Sequence, residues 1–339
     1  MAGAEAVLAL AFPRYLRAIH ASDRRVSVGL DCYPSNPRGY FDLDLRDRAT
    51  LERFRAARVR SVEACADQAP HAVELRYNRL QFRSPEPEPP RQGVRRVAIL
   101  GDSFTEGQGV KRDDIYPRVL EELLTAHAED WEVLNFGRRG ADFPRLLENF
   151  EQLLAHGPDV VVYALTLNDP EQSESFRARH AYVYERVMSR DRPAPEEEWG
   201  TFPLRLATWA RHRWEARREA RATTRWYREL YGEANHEGWA RTQEDIRQMD
   251  QRVRSRGGRF LLVTWPVLAE LDGDYPFPEI HEEIARFARG AGISHYDLLP
   301  VLRGSPAASL WVHEVDRHPN EIAHRLAAES LAPVVRDGR

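Results

Sequence analysis

The chain has 339 residues, 42% of them hydrophobic, and a formal net charge of −4. That length and apolar content suffice for one large α/β domain with attachments, and the mild negative charge excludes a global basic field of the kind that draws nucleic acid. The only cysteines, Cys32 and Cys65, can form one disulfide but no disulfide framework, and no CxxC metal spacing exists.

In chain order, the opening MAGAEAVLALAFPRYL carries a short apolar run without a preceding basic residue or a small-residue cleavage site, and it is too short to span a bilayer. The expectation is a cytoplasmic protein without an integral membrane segment. Residues 1–93 read as an N-terminal accessory segment. It holds a strand-like RRVSVGLD, a turn-rich CYPSNPRGYF, a charged helical stretch over 48–66 and a strand-like AVELRYNRLQFR, and it closes on the linker PEPEPPRQG, whose prolines forbid helix and central strand.

From residue 94 to 339 the pattern becomes regular. RRVAILGD, WEVLNFG, DVVVYALTLND, GGRFLLVTWPV and ISHYDLL read as five buried strands. Amphipathic helices separate them: one capped by Asp113 or Asp114 with Ile115, Val119, Leu120, Leu123 and Leu124 on one face, one after Pro144, one over 238–256 and one near 279–289. Strands alternating with helices predict a parallel sheet covered on both sides. Residues 170–237 interrupt the rhythm with an arginine-rich helical insertion carrying Trp209, Trp214 and Trp226. It reads as a lid over the carboxyl edge of the sheet or as a docked element without a substrate role. Its acids interleave with its arginines, which argues against a basic membrane-binding face.

Chemistry in an open parallel sheet collects at the carboxyl ends of the strands. Four loops there carry polar residues: Asp102-Ser103, NFGRRGAD, TLND and, before the last helix, HEVDRHPNEIAHRL. Ester cleavage needs a serine, a histidine base, a group that fixes the base's tautomer, and oxyanion donors. Ser103, His318 and Asp316 fit the first three needs. The Ser103 N–H, a glycine N–H of the second loop and the Asn168 amide fit the last. The alternative for Ser103 is a helix N-cap, and for Asn168 a turn residue; Asp102 is read as bonding the turn, and His313 and His324 as structural or solvent-facing.

These blocks, GDSFTEG, NFGRRGAD, LND and DRHPN, resemble those of the SGNH/GDSL hydrolases over about residues 95–335. The resemblance implies a three-layer α/β/α, flavodoxin-like fold and metal-free acyl hydrolysis or transfer, without a cofactor. By position it makes Ser103 the nucleophile, Gly140 rather than Gly137 the oxyanion glycine, Asn168 the oxyanion asparagine and His318 the base. Two departures stand out. Thr166 replaces the glycine of the usual Gly-x-Asn-Asp, and Asp316 lies two residues before the histidine where the family has three, which leaves Glu314 or a backbone carbonyl as stand-ins. The GxSxG elbow, the dinucleotide and P-loop glycine patterns and a clustered metal-ligand set are all absent. The expected activity is therefore serine-dependent hydrolysis of short acyl esters, such as acetyl, on a carbohydrate or small metabolite. An O-acyltransferase using the same residues, and a non-catalytic binding protein on the same fold, are the alternatives.

Overall fold

The computed structural model describes residues 27–126, 130–186 and 204–338. The apolar N-terminal run and residues 187–203 of the insertion lie outside them, as does the Trp209 side chain. The N-terminal segment builds β1 (Ser27–Tyr33), β2 (Leu43–Asp44), α1 (Arg48–Ala56), α2 (Val62–Gln68) and β3 (His71–Tyr77). The strands form an antiparallel sheet in the order β1-β3-β2. The helix expected over 48–66 is split in two, because the chain turns at Arg58, whose φ is +55°. Leu30, Cys32, Leu45, Phe54, Val62 and Cys65 bury a small core of their own, and Cys32 and Cys65 form a disulfide. The proline-rich stretch after β3 runs along the main domain: Asn78 Nδ2 donates to the Pro85 carbonyl (3.0 Å) and Arg96 Nη2 to that of Glu88 (2.8 Å).

The main domain follows as β4 (Arg95–Gly101), α3 (Ser103–Glu106), α4 (Tyr116–Thr125), β5 (Trp131–Gly137), α5 (Arg145–Leu154) and β6 (Val160–Thr166). Next come α6 (Glu174–Arg179), α7 (Ala181–Arg186), α8 (Leu204–Leu230), α9 (His236–Arg254), β7 (Arg259–Trp265), α10 (Pro278–Ala291) and β8 (Ser294–Asp297). The chain ends with α11 (Leu299–Leu302), β9 (Trp311–His313), β10 (Asp316–Pro319) and α12 (Glu321–Asp337). Five strands pair in parallel in the order β5-β4-β6-β7-β8, the flavodoxin-like arrangement. All seven residues of β6 are buried, as befits a strand covered on both faces. The crossover from β4 to β5 steps one way along the sheet and the later ones step the other way. Right-handed connections therefore place α4 on one face, where α12 packs against it, and α5, α9 and α10 on the other.

One expected cap is different. Asp113 and Asp114 sit in a 3-10 turn, and α4 starts at Tyr116 with Pro117 in its first turn; Asp114 instead accepts from Tyr40 Oη (2.8 Å). The insertion docks through aromatic rings. Within it Trp226 packs on Phe176 (centroids 6.0 Å apart), and Tyr227 reaches out to Phe277 (5.0 Å). Among the described side chains of α8 from 211 to 228, every exposed one is arginine except Trp214, which is 59% exposed. Of the acids that interleave in sequence, Glu219 is buried, Glu215 is half-buried and Glu229 meets His180 Nε2 at 3.0 Å.

Candidate active site

The first strand's carboxyl end turns directly into α3. Asp102 caps it, its Oδ1 accepting from the Phe104 N–H (2.9 Å), and so presents Ser103 in the first helical turn. The turn is possible because α3 lies against two bare strand ends. A Cβ on Gly101 would stand 2.1 Å from Thr105 Oγ1, and one on Gly137 would stand 2.3 Å from the Glu106 amide nitrogen. Both glycines are fixed by close approach.

Opposite α3 stands the β9–β10 hairpin. Asp316 and His318 are two residues apart on an extended strand, so their side chains leave the same face. That is why the two-residue spacing works: His318 Nδ1 lies 2.5 Å from Asp316 Oδ1, and His318 Nε2 lies 2.9 Å from Ser103 Oγ. With its Nδ1 hydrogen committed to Asp316, His318 presents an unprotonated Nε2 to the serine hydroxyl. Asn320 then caps α12 through the Ile322 and Ala323 N–H groups, fixing the hairpin's exit. Glu314, the stand-in acid, is exposed. His313 pairs with Ser35 Oγ at 3.0 Å. His324 is buried against Tyr116, and burial pushes its pKa down to about 3. Neither replaces His318.

Asp316 is fully buried. Burial works to protonate it, but the His318 charge and the hydrogen bonds from His318 and Tyr33 outweigh that and hold it below the usual carboxylate range. For His318, burial works against the imidazolium, yet the charge and hydrogen bond of Asp316 win and raise its pKa above the ordinary value. Two partners of Asp316 escape sequence reasoning. Tyr33 Oη donates to Oδ2 at 2.8 Å from the N-terminal sheet, and Gln108 Nε2 lies 3.3 Å from the same oxygen. Gln108 had a signal in its nearness to Ser103; Tyr33, 283 residues from Asp316, had none.

Gly140 and Asn168 lie in the loops after β5 and β6. The pairing of Gly101 with Gly137 and with Ala164 brings those strand ends level with the start of α3. Gly140 has φ +65° with open space around it, and Asn168 is exposed. Beside Gly140, Arg139 is clamped in the interior. Its guanidinium meets both oxygens of Asp31 (2.8 and 3.1 Å) and Glu106 Oε1 (2.9 Å), and Tyr77 Oη donates to that Glu106 oxygen (2.6 Å).

Thr166, the departure from the family pattern, also has partners. Its Oγ1 lies 2.7 Å from Asp169 Oδ1 and 3.0 Å from Asp102 Oδ2. Burial and the nearby Asp102 charge push the Asp169 carboxyl well above the usual carboxylate range, against the hydrogen bonds it accepts from Thr166 and Tyr163. The chain of bonds then runs from Asp169 through Thr166 to Asp102, the cap of the serine turn. Among the described residues no group of three or more His, Cys, Asp or Glu is placed to hold a metal ion. None of the described helices is long and apolar enough to cross a membrane.

Residues 99–239 match the family described as GDSL-like Lipase/Acylhydrolase; this span includes Ser103, Gly140 and Asn168 but neither His318 nor the N-terminal sheet. No curated protein matches the chain. Similar solved structures include TesA, at 16% identity over 72% of this chain and 99% of that one, with a TM-score of 0.44. Another is the lipase/acylhydrolase from Enterococcus faecalis, at 14% identity over 72% and 96% of the two chains, TM-score 0.43. A third is the psychrotrophic esterase EstA from Pseudoalteromonas sp., at 13% identity over 72% and 97%, TM-score 0.42.

Proposed function

We propose that the GDSL-like lipase/acylhydrolase domain carried by this chain hydrolyses short-chain acyl esters, such as acetyl esters of a carbohydrate or small metabolite, through an acyl-enzyme on Ser103. The observation that carries this reading is the continuous contact from Ser103 Oγ to His318 Nε2 (2.9 Å) and from His318 Nδ1 to Asp316 (2.5 Å). In this reading His318 takes the Ser103 proton as Oγ attacks the ester carbonyl, while Asp316 holds the imidazole's tautomer and stabilises its charge. The oxyanion meets the Ser103 N–H, which as a first-turn amide has no helical acceptor, with the Gly140 N–H and the Asn168 amide. Each such donor lowers the barrier by about 3–4 kcal/mol. His318 then protonates the leaving alkoxide, and a water activated by the same histidine releases the acid. A sugar or metabolite hydroxyl in place of that water makes the site an O-acyltransferase. The Cys32–Cys65 disulfide supports work in an oxidising compartment rather than the cytoplasm.

The test is hydrolysis of p-nitrophenyl acetate and labelling by a fluorophosphonate, for the wild type and Ser103→Ala. Wild-type turnover and labelling that both vanish in the variant are expected. A wild type that neither turns over nor labels is a binding protein, and the reading fails. Faster acyl release on adding sugar acceptors selects the transferase.

A further inference from the structure

Successive side chains of a strand point to opposite faces, and β1 uses both. Leu30 and Cys32 enter the small N-terminal core, where Cys32 is bonded to Cys65 of α2. Asp31 and Tyr33 face the main domain and are fully buried against it. Tyr33, stacked on Phe41 with centroids 4.3 Å apart, brings its hydroxyl to Asp316 Oδ2 at 2.8 Å. The loop after α3 is shaped around that hydroxyl: a Cβ on Gly109 would stand 2.1 Å from Tyr33 Oη. Asp31 Oδ2 accepts from the Gly109 N–H (2.8 Å), and its carboxylate grips Arg139, the neighbour of Gly140. Arg83, just beyond β3, donates to the carbonyls of Gly107 and Val110 (both 2.5 Å). The segment that the family match leaves out thus holds the acid, the loop behind the nucleophile and the loop of the oxyanion glycine.

We propose that residues 27–83 are a working part of the catalytic centre: Tyr33 is the positioning residue of Asp316, and the Cys32–Cys65 bond locks the strand that carries it. This rests on the serine-esterase reading above. A carboxylate that must hold an imidazole through Oδ1 needs a fixed donor on Oδ2, or it turns about its Cβ–Cγ bond. Tyr33 supplies the shorter of the two side-chain contacts there, and Gln108 the longer. The charged and titratable groups facing this pair and its His318 are Asp102, Arg139 and Asp31 from the main domain and β1, with His313 on β9 and His324 on α12. None of them donates to Asp316 Oδ2.

The experiment measures kcat and KM per phosphonate-titrated site, across pH, for the wild type, Tyr33→Phe and Cys32→Ala/Cys65→Ala, with thermal melting alongside. Tyr33→Phe keeps the stacked ring and removes one hydrogen bond to a charged group. It is expected to lower kcat roughly 10- to 100-fold at unchanged KM. The acid limb of the profile should move to higher pH, because an Asp316 relieved of its donor bears more strongly on His318. The double cysteine variant should move both readouts in the same direction by less. Wild-type kcat per titrated site with an unmoved acid limb in Tyr33→Phe overturns the proposal, as does a loss confined to the number of active sites. If Tyr33→Phe does not fold, wild-type values in the cysteine variant overturn it. The two readings separate cleanly. An inactive Ser103→Ala beside a wild-type-like Tyr33→Phe removes only this proposal, whereas a wild type without turnover or labelling removes both.

Discussion

Two regions flank the five-stranded sheet, and they attach to it by different physics. The insertion from α6 to α8 lies within the span that matches the family. Yet among the described residues it makes no hydrogen bond to Ser103, His318 or Asp316, and α8 docks through Tyr227 on Phe277 and through Arg228 at the surface, on Glu279 (2.7 Å) and the Pro276 carbonyl (3.0 Å). The N-terminal sheet lies outside that span and reaches the site through buried charge and hydroxyl contacts from Asp31, Tyr33 and Tyr77. Aromatic docking tolerates drift, because dispersion has little direction; a buried carboxylate held by several donors has one acceptable geometry. Proximity in sequence to the catalytic motif is therefore a poor guide to which region tunes it.

That contrast can be broken or sharpened by mutation. The largest effect belongs to the residue on which the N-terminal contacts converge. Asp316→Asn is expected to lower kcat by about 10⁴ through the wrong His318 tautomer, and near-wild-type kcat would remove Asp316 from the triad. Next comes Asp31→Asn, which breaks a buried pair and leaves Arg139 with Glu106 alone. It should destabilise the fold by about 3–5 kcal/mol in urea titration; an unchanged midpoint would show that the clamp contributes nothing. The wild-type pH profile sharpens the same point without mutation. His318 is raised above its ordinary pKa of 6.5, and only its neutral form accepts the Ser103 proton. Activity should therefore fall as pH drops, with the limb above 6.5, and a limb below that value would contradict the Asp316 coupling. The smallest effect lies on the insertion's outer side: Trp214→Ala should change stability by less than about 0.5 kcal/mol, measured by the same titration.

Sequence reasoning reached the sheet and the polar loops at its carboxyl edge for a common reason. Strands such as β4 and β6 are buried on both faces and read as unbroken apolar runs, so the polar residue that ends each one stands out. Asp316 could be named but not secured, because a two-residue spacing means one thing on a loop and another on an extended strand. Only the strand state of β10 sets its carboxylate beside the imidazole. Tyr33, Asp31 and Arg83 were illegible for the opposite reason. Their roles arise from contacts between chain segments far apart in sequence, and no local pattern encodes a partner that distant. The insertion misled in a subtler way, since charges alternating along the chain suggested a mixed surface, whereas the exposed described positions of α8 from 211 to 228 are arginine except Trp214.

Those arginines give the molecule a local charge that its net charge hides. With −4 overall and nearly all exposed described positions of α8 from 211 to 228 held by arginine, the protein should be held by a sulfonate resin more strongly than its net charge alone predicts.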